Sequence, residues 1–179
     1  MQRTILMIIV AAMASILPIK STAETPASER GSFAWGAEVG PGIDMGGDDM
    51  STLNVHARIG YRKGWIKFVG LGAGIDVMMS NSSRSVPVYA IIQSSFSSKP
   101  KLLFGEIKVG CAYNQTPGVA DGTSFYLSPG LGITLARGNR FSSHLVLSYA
   151  YNSMTFLGDR EDTLVKGLNR VNIGIGVTF

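Results

Sequence analysis

The 179-residue chain is 45% hydrophobic, carries 16 Lys and Arg against 12 Asp and Glu, and contains 22 glycines and one cysteine, Cys111. A single thiol excludes an internal disulfide framework. The basic residues form no cluster of the kind that tracks phosphates, which excludes a nucleic-acid surface.

Met1-Gln2-Arg3 is basic, Ile5 to Ala14 is an uncharged apolar run, Pro18 breaks it, and Ser21-Thr22-Ala23 is small throughout. That order predicts a cleavable secretory signal peptide over 1–23. Retention as an anchor is the alternative, but the run is shorter than the about 20 residues a spanning helix needs. No Cys follows the cleavage site, so a lipoprotein is not expected. Removing Arg3 and Lys20 leaves 14 basic residues against 12 acidic ones. Residues 24–31, polar and containing Pro26, read as a flexible lead-in. The remainder, 32–179, is one domain's worth of chain.

From there the pattern is period two, which predicts strands. Phe33 to Ile43 places Phe33, Trp35, Ala37, Val39 and Ile43 on one face. Leu53 to Arg62 sets Leu53, Val55, Ala57, Ile59 and Tyr61 against Asn54, His56, Arg58 and Gly60. Trp65 to Met79 sets Val69, Leu71, Ala73, Ile75 and Val77 against Phe68, Gly70, Gly72, Gly74 and Asp76. Val86 to Phe96 alternates weakly at its centre. Leu102 to Gln115 sets Leu103, Ile107, Val109, Cys111 and Tyr113 against Phe104, Glu106, Lys108 and Gly110. Phe125 to Leu135, Phe141 to Tyr151 and Asn169 to Phe179 continue the pattern.

Tight connections (Lys63-Gly64, Ser97 to Pro100, Arg137 to Arg140) alternate with long ones at Asp44 to Thr52, Ser80 to Ser85, Thr116 to Ser124 and Ser153 to Leu168. Eight strands joined this way predict an all-β fold: an antiparallel up-and-down transmembrane β-barrel with short turns at one rim and long loops at the other. No apolar stretch after Ala14 is long enough for a membrane helix.

Alternation alone also fits a soluble, lipocalin-like cup with its apolar face inward. Three features favour the apolar face outward. Gly70, Gly72, Gly74, Gly130, Gly132, Gly174 and Gly176 crowd the other face, where a narrow bore needs small residues. Aromatics collect near strand ends (Phe33, Trp35, Tyr61, Trp65, Phe96, Tyr113, Phe125, Phe141, Tyr149 and Tyr151), as interfacial girdles do. The last strand ends on Phe179 and would close the barrel against the first, leaving no open edge in hydrocarbon.

That last strand, with Val171, Ile173, Ile175, Val177 and Phe179 on one face, resembles the terminal insertion signal that the barrel-assembly machinery recognises in outer-membrane proteins. From about Gly31 to Phe179 the chain resembles the small outer-membrane β-barrels common in Bacteroidetes, related in architecture to the OmpA-type transmembrane domain. The resemblance implies a Gram-negative outer membrane and contact with its lipid. It differs from OmpA-type proteins in ending at the barrel, which argues against a wall-tethering role.

Glu38, Arg58, Asp76, Glu106 and Lys108 fall on the expected lumen face. Charges there must pair or stay wet. They predict either an ion-pair network that stoppers the bore, or the lining of a narrow diffusion pore. His56 and His144 also face inward, but on non-adjacent strands and without further ligands, so no metal is expected. Asp44, Asp48 and Asp49 flank Gly46-Gly47 without the alternation of an EF-hand loop, and read as a solvated turn.

Some eight-stranded barrels modify lipids. The lipid A deacylase type has a His two residues from a Ser on a late strand, and Tyr149-Ala-Tyr-Asn-Ser153 puts Tyr151 in that place. Ser153 then lacks a base, so no enzyme activity and no cofactor are expected. The Ser153 to Leu168 loop, with Asp159-Arg-Glu-Asp162, is the expected place for an extracellular ligand.

Overall fold

The computed structural model describes residues 31–46, 50–63, 66–80, 82–96, 102–118, 121–138, 141–157 and 163–179, with the backbone alone for 154–157 and 163–166. The signal segment and nearly all of the lead-in lie outside these residues, as does Trp65. Among the described residues the chain forms β1 (Ser32–Asp44), β2 (Thr52–Lys63), β3 (Ile66–Met78), β4 (Arg84–Ser95), β5 (Leu103–Gln115), β6 (Gly122–Arg137), β7 (Ser142–Leu157) and β8 (Thr163–Thr178). Each strand pairs antiparallel with the next, and β8 pairs with β1, closing an eight-stranded barrel. No described helix is long and apolar enough to cross a membrane, which says nothing about crossing by strands.

The seam is fastened at its short-turn end. Trp35 N–H donates to the Phe179 carbonyl at 3.2 Å and Phe179 N–H returns the bond at 2.8 Å. The two rings stack with centroids 4.6 Å apart.

The apolar face points outward, as the glycine pattern implies. Leu71 is 62% exposed, Leu131 63% and Ile59 57%. Val39, Val55, Ile75, Val88, Ile107, Val109 and Leu147 are also exposed. Phe33, Trp35, Tyr61, Phe96, Phe141 and Phe179 ring the short-turn end, while Tyr113, Phe125 and Tyr149 lie toward the long-loop end. Cys111 is exposed on the same outer face.

Inward glycines make room for large neighbours. A Cβ on Gly72 would lie 2.4 Å from the Tyr89 ring, and one on Gly74 would lie 2.1 Å from the His56 ring. Gly132 makes the same allowance for Phe104, and Gly176 for His144. Eight strands give a bore that side chains can fill, and here the large lumen residues occupy volume taken from these glycines.

One feature differs from the sequence reading and a second adds to it. The segment Ser153 to Leu168 is for the most part ladder rather than loop: Ser153 pairs with Gly167 and Leu157 with Thr163, so the β7–β8 hairpin extends well past its neighbours. β-Branched and aromatic residues on both arms (Thr155, Phe156, Val165) favour pairing over coil.

The second feature is proline. Pro41, Pro87 and Pro129 sit inside strands, although proline donates no N–H to a ladder and is normally confined to edges or bulges. Each lies beside a gap on one side only. The β1–β8 pairing skips from Val39↔Ile175 to Gly42↔Asn172, β3–β4 from Ala73↔Val88 to Asp76↔Ser85, and β6–β7 from Leu127↔Tyr151 to Gly130↔Ser148. On its other side each proline stays in register, opposite Leu53, Ala112 and Ile107 respectively.

Candidate functional site

The polar residues of the lumen come from every strand, because each contributes alternate positions to the bore. They form two clusters rather than the single network expected.

The first holds four of the expected residues. Lys108 Nζ lies 2.8 Å from Glu38 Oε1 and 3.0 Å from Glu106 Oε1. Arg58 Nη1 lies 3.4 Å from Glu106 Oε2 and 3.9 Å from Glu38 Oε2. Two cations and two carboxylates thus alternate around a closed square. Gln93 donates a further hydrogen bond to Glu106. Arg58 Nη2 donates to Thr178 Oγ1 at 2.9 Å and contacts His144 Nε2 at 2.6 Å. Since guanidinium only donates, His144 Nε2 accepts, so the ring is neutral with its proton on Nδ1. The Arg58 plane also sits over Phe68, 5.1 Å from its centroid, a cation–π contact.

Asp76 belongs to the second cluster. Its Oδ1 is 2.8 Å from His56 Nε2, and its Oδ2 accepts from Arg170 Nη2 at 2.9 Å. His56 gives its Nε2–H to Asp76, and its Nδ1 shares a hydrogen bond with the Tyr89 hydroxyl, 3.0 Å away. Arg170 Nη1 donates to Thr52 Oγ1 at 3.1 Å. Arg170 is fully buried and was not among the expected lumen charges. It lies two residues before Asn172 and so shares its inward parity, a signal present in the sequence.

The bore is filled above and below these clusters. Toward the long-loop rim, Ser85, Asn114, Ser124 and Asn152 bond one another in a polar ring. Met50, Met78 and Leu168 form an apolar plug at the same end. Toward the short turns, Phe68 and Phe104 are buried, with Lys67 Nζ over the Phe104 ring. Between the clusters a cavity of about 10 Å³ touches Glu38, Asn54, His56, Lys108 and Asn172, room for about one water. Glu38 Oε2, Asn54 Oδ1 and Asn172 Oδ1 have no hydrogen-bond partner among the described residues.

Arg58, Lys108 and Arg170 are matched by Glu38, Asp76 and Glu106, so the charges of the two clusters cancel. Buried ions cost several kcal/mol each in desolvation and persist only when closely paired. The arrangement therefore ties strands of the wall to one another across the bore.

The remaining expected sites are less developed. Asp44 accepts the Gly46 N–H at 2.9 Å and the Met50 N–H at 3.4 Å, a local turn, while residues 47–49 lie outside the described residues. Both histidines are engaged as above, and among the described residues no three His, Cys, Asp or Glu side chains are grouped to hold a metal. Asp159 to Asp162 also lie outside the described residues.

No protein-family model and no curated protein matches the chain. Solved structures do. The N-terminal β-barrel domain of Pseudomonas aeruginosa OprF is similar with a TM-score of 0.54 at 15% identity, over 84% of this chain and 100% of that one. Neisserial surface protein A is similar with a TM-score of 0.53 at 15% identity, over 84% and 98%. A de novo designed transmembrane β-barrel is similar with a TM-score of 0.52 at 18% identity, over 88% and 100%. At these identities the likeness concerns architecture and not activity, and it establishes that the chain has the fold of the eight-stranded outer-membrane barrels.

Proposed function

We propose that this protein is an exported, integral outer-membrane barrel with a stoppered bore, acting as a non-enzymatic structural or surface-interaction scaffold. One observation carries the reading: residues with large side chains that close the bore, Arg170, Tyr126, Phe68 and Phe104, are at most 2% exposed. A filled, charge-balanced lumen leaves the loops and the outer wall as the working surfaces. The basic-apolar-small start of the sequence supports export, and the face formed by Val171, Ile173, Ile175, Val177 and Phe179 supports insertion by the barrel-assembly machinery. The pattern resemblance to Bacteroidetes-type small barrels supports the same placement. The long β7–β8 hairpin, and the 153–168 segment within it, is the natural place for a surface ligand.

The narrow-pore reading rests on charged lumen residues, and these are paired with one another. Purified, folded protein in a planar bilayer is expected to show no stepwise conductance at neutral pH. Regular conductance steps abolished by heat-unfolding the same sample would replace the scaffold reading with the pore.

A further inference from the structure

The outer wall is unevenly padded. Across β2 and β3, large apolar residues face each other in pairs, Val55 with Ile75 and Ile59 with Leu71. Across β4 to β7 the outward positions Ser94, Gly105 and Pro129 are small, and a notch of about 640 Å³ opens there. Its sides are Ile92, Phe96, Leu131 and Leu147, and it reaches Tyr149 toward the long-loop end. The Phe96 ring leans over Gly105, close enough that a Cβ on Gly105 would lie 2.8 Å from it.

The floor coincides with the β6–β7 ladder gap beside Pro129. There the notch also touches Glu106 and Ser148, whose side chains point into the lumen. Sequence and architecture thus combine: a proline that cannot donate, next to a glycine with no side chain, thins one patch of an otherwise padded wall.

The chemistry of the notch selects its occupant. Its lining is almost wholly apolar, so water would find too few partners to stay. Left dry, it would forfeit the dispersion contacts its walls could make. It opens sideways and is continuous with the apolar belt, so flexible hydrocarbon is what lies beside it. We infer that the notch seats one acyl chain of a membrane lipid, lying over Gly105 and Pro129 between Phe96 and Leu147. This rests on the barrel spanning a membrane.

The test uses mature full-length protein folded into vesicles of phosphatidylethanolamine and phosphatidylglycerol. A trace of phosphatidylethanolamine carrying a diazirine on its acyl chain is photoactivated, and labelled peptides are mapped. Label is expected several-fold higher on the peptides bearing Leu131 and Leu147 than on those bearing Ile59 and Leu71. Gly105→Trp, which fills the notch from outside while displacing the tip of Phe96, should bring the label down to the Leu71 level. Leu131→Trp provides a second filler should the first variant not fold.

Even labelling around a folded barrel, or label unchanged by either filler, would overturn the site. So would Leu131→Cys, made on a Cys111→Ser background, forming a disulfide-linked dimer in these vesicles while the notch takes no lipid label. Failure of the membrane reading itself is separable, because the unaltered protein would then give no heat-dependent gel shift in these vesicles.

Discussion

Arg58→Ala is expected to destabilise the folded barrel by about 3–5 kcal/mol, the usual cost of removing one partner from a buried ion pair. The substitution leaves Glu38 and Glu106 sharing a single cation, Lys108, at 2.8 and 3.0 Å. It also removes the hydrogen bonds to His144 and Thr178 and the contact over Phe68. Urea unfolding in vesicles, followed by tryptophan fluorescence, measures it. A change within about 0.5 kcal/mol, typical of an uncoupled surface site, would contradict the square of charges. Double-mutant cycles refine the assignment. Glu38 with Lys108, and Asp76 with Arg170, should show coupling of about 0.5–3 kcal/mol. Glu38 with Arg58, whose charges are 3.9 Å apart, should couple less than Glu38 with Lys108.

Leu71→Arg is the second substitution with a large expected effect. Leu71 lies near the middle of β3, between Ile59 and Ala90, and is 62% exposed. If that face meets hydrocarbon, an arginine near the midplane costs about 2–4 kcal/mol. If it meets water, the same change falls within about 0.5 kcal/mol. Folding yield and unfolding free energy in vesicles separate the two, and the neutral result would mean that the apolar belt faces water.

Much of this fold was legible because a strand's side-chain period is two. The parity that places Asp76 and Lys108 inward also places Leu71 and Val109 outward, and inward glycine identified which face was confined. What alternation does not supply is stagger between strands. Glu106 meets Gln93 directly across β4–β5, but Asp76 meets Arg170 across the bore, 94 positions away in sequence. Parity therefore gives the face of each residue but not how far a network extends: Glu38, Arg58, Glu106 and Lys108 gather in one cluster, while Asp76 joins His56 and Arg170 in a second.

Other misses have local causes. The outer part of the β7–β8 hairpin, Ser153 to Leu168, reads as loop in the sequence because polar residues at Asp159 to Asp162 interrupt the strand-forming residues on either side. Pro129 carried a signal that the period-two reading passes over: a proline within a strand of a closed sheet has no edge to occupy, so a ladder gap must follow. The notch follows from that gap combined with Gly105, a pairing of distant residues that only the folded barrel displays.

The most direct test of the account is electrophoretic mobility, boiled against unboiled, of the protein taken from purified outer membranes. Closed barrels hold their hydrogen-bonded wall in detergent until heated, because no strand edge offers a place to start unpairing. For a closed membrane barrel the expected result is recovery in that membrane fraction and a clear mobility shift on boiling. Recovery as soluble periplasmic protein with no shift would contradict it.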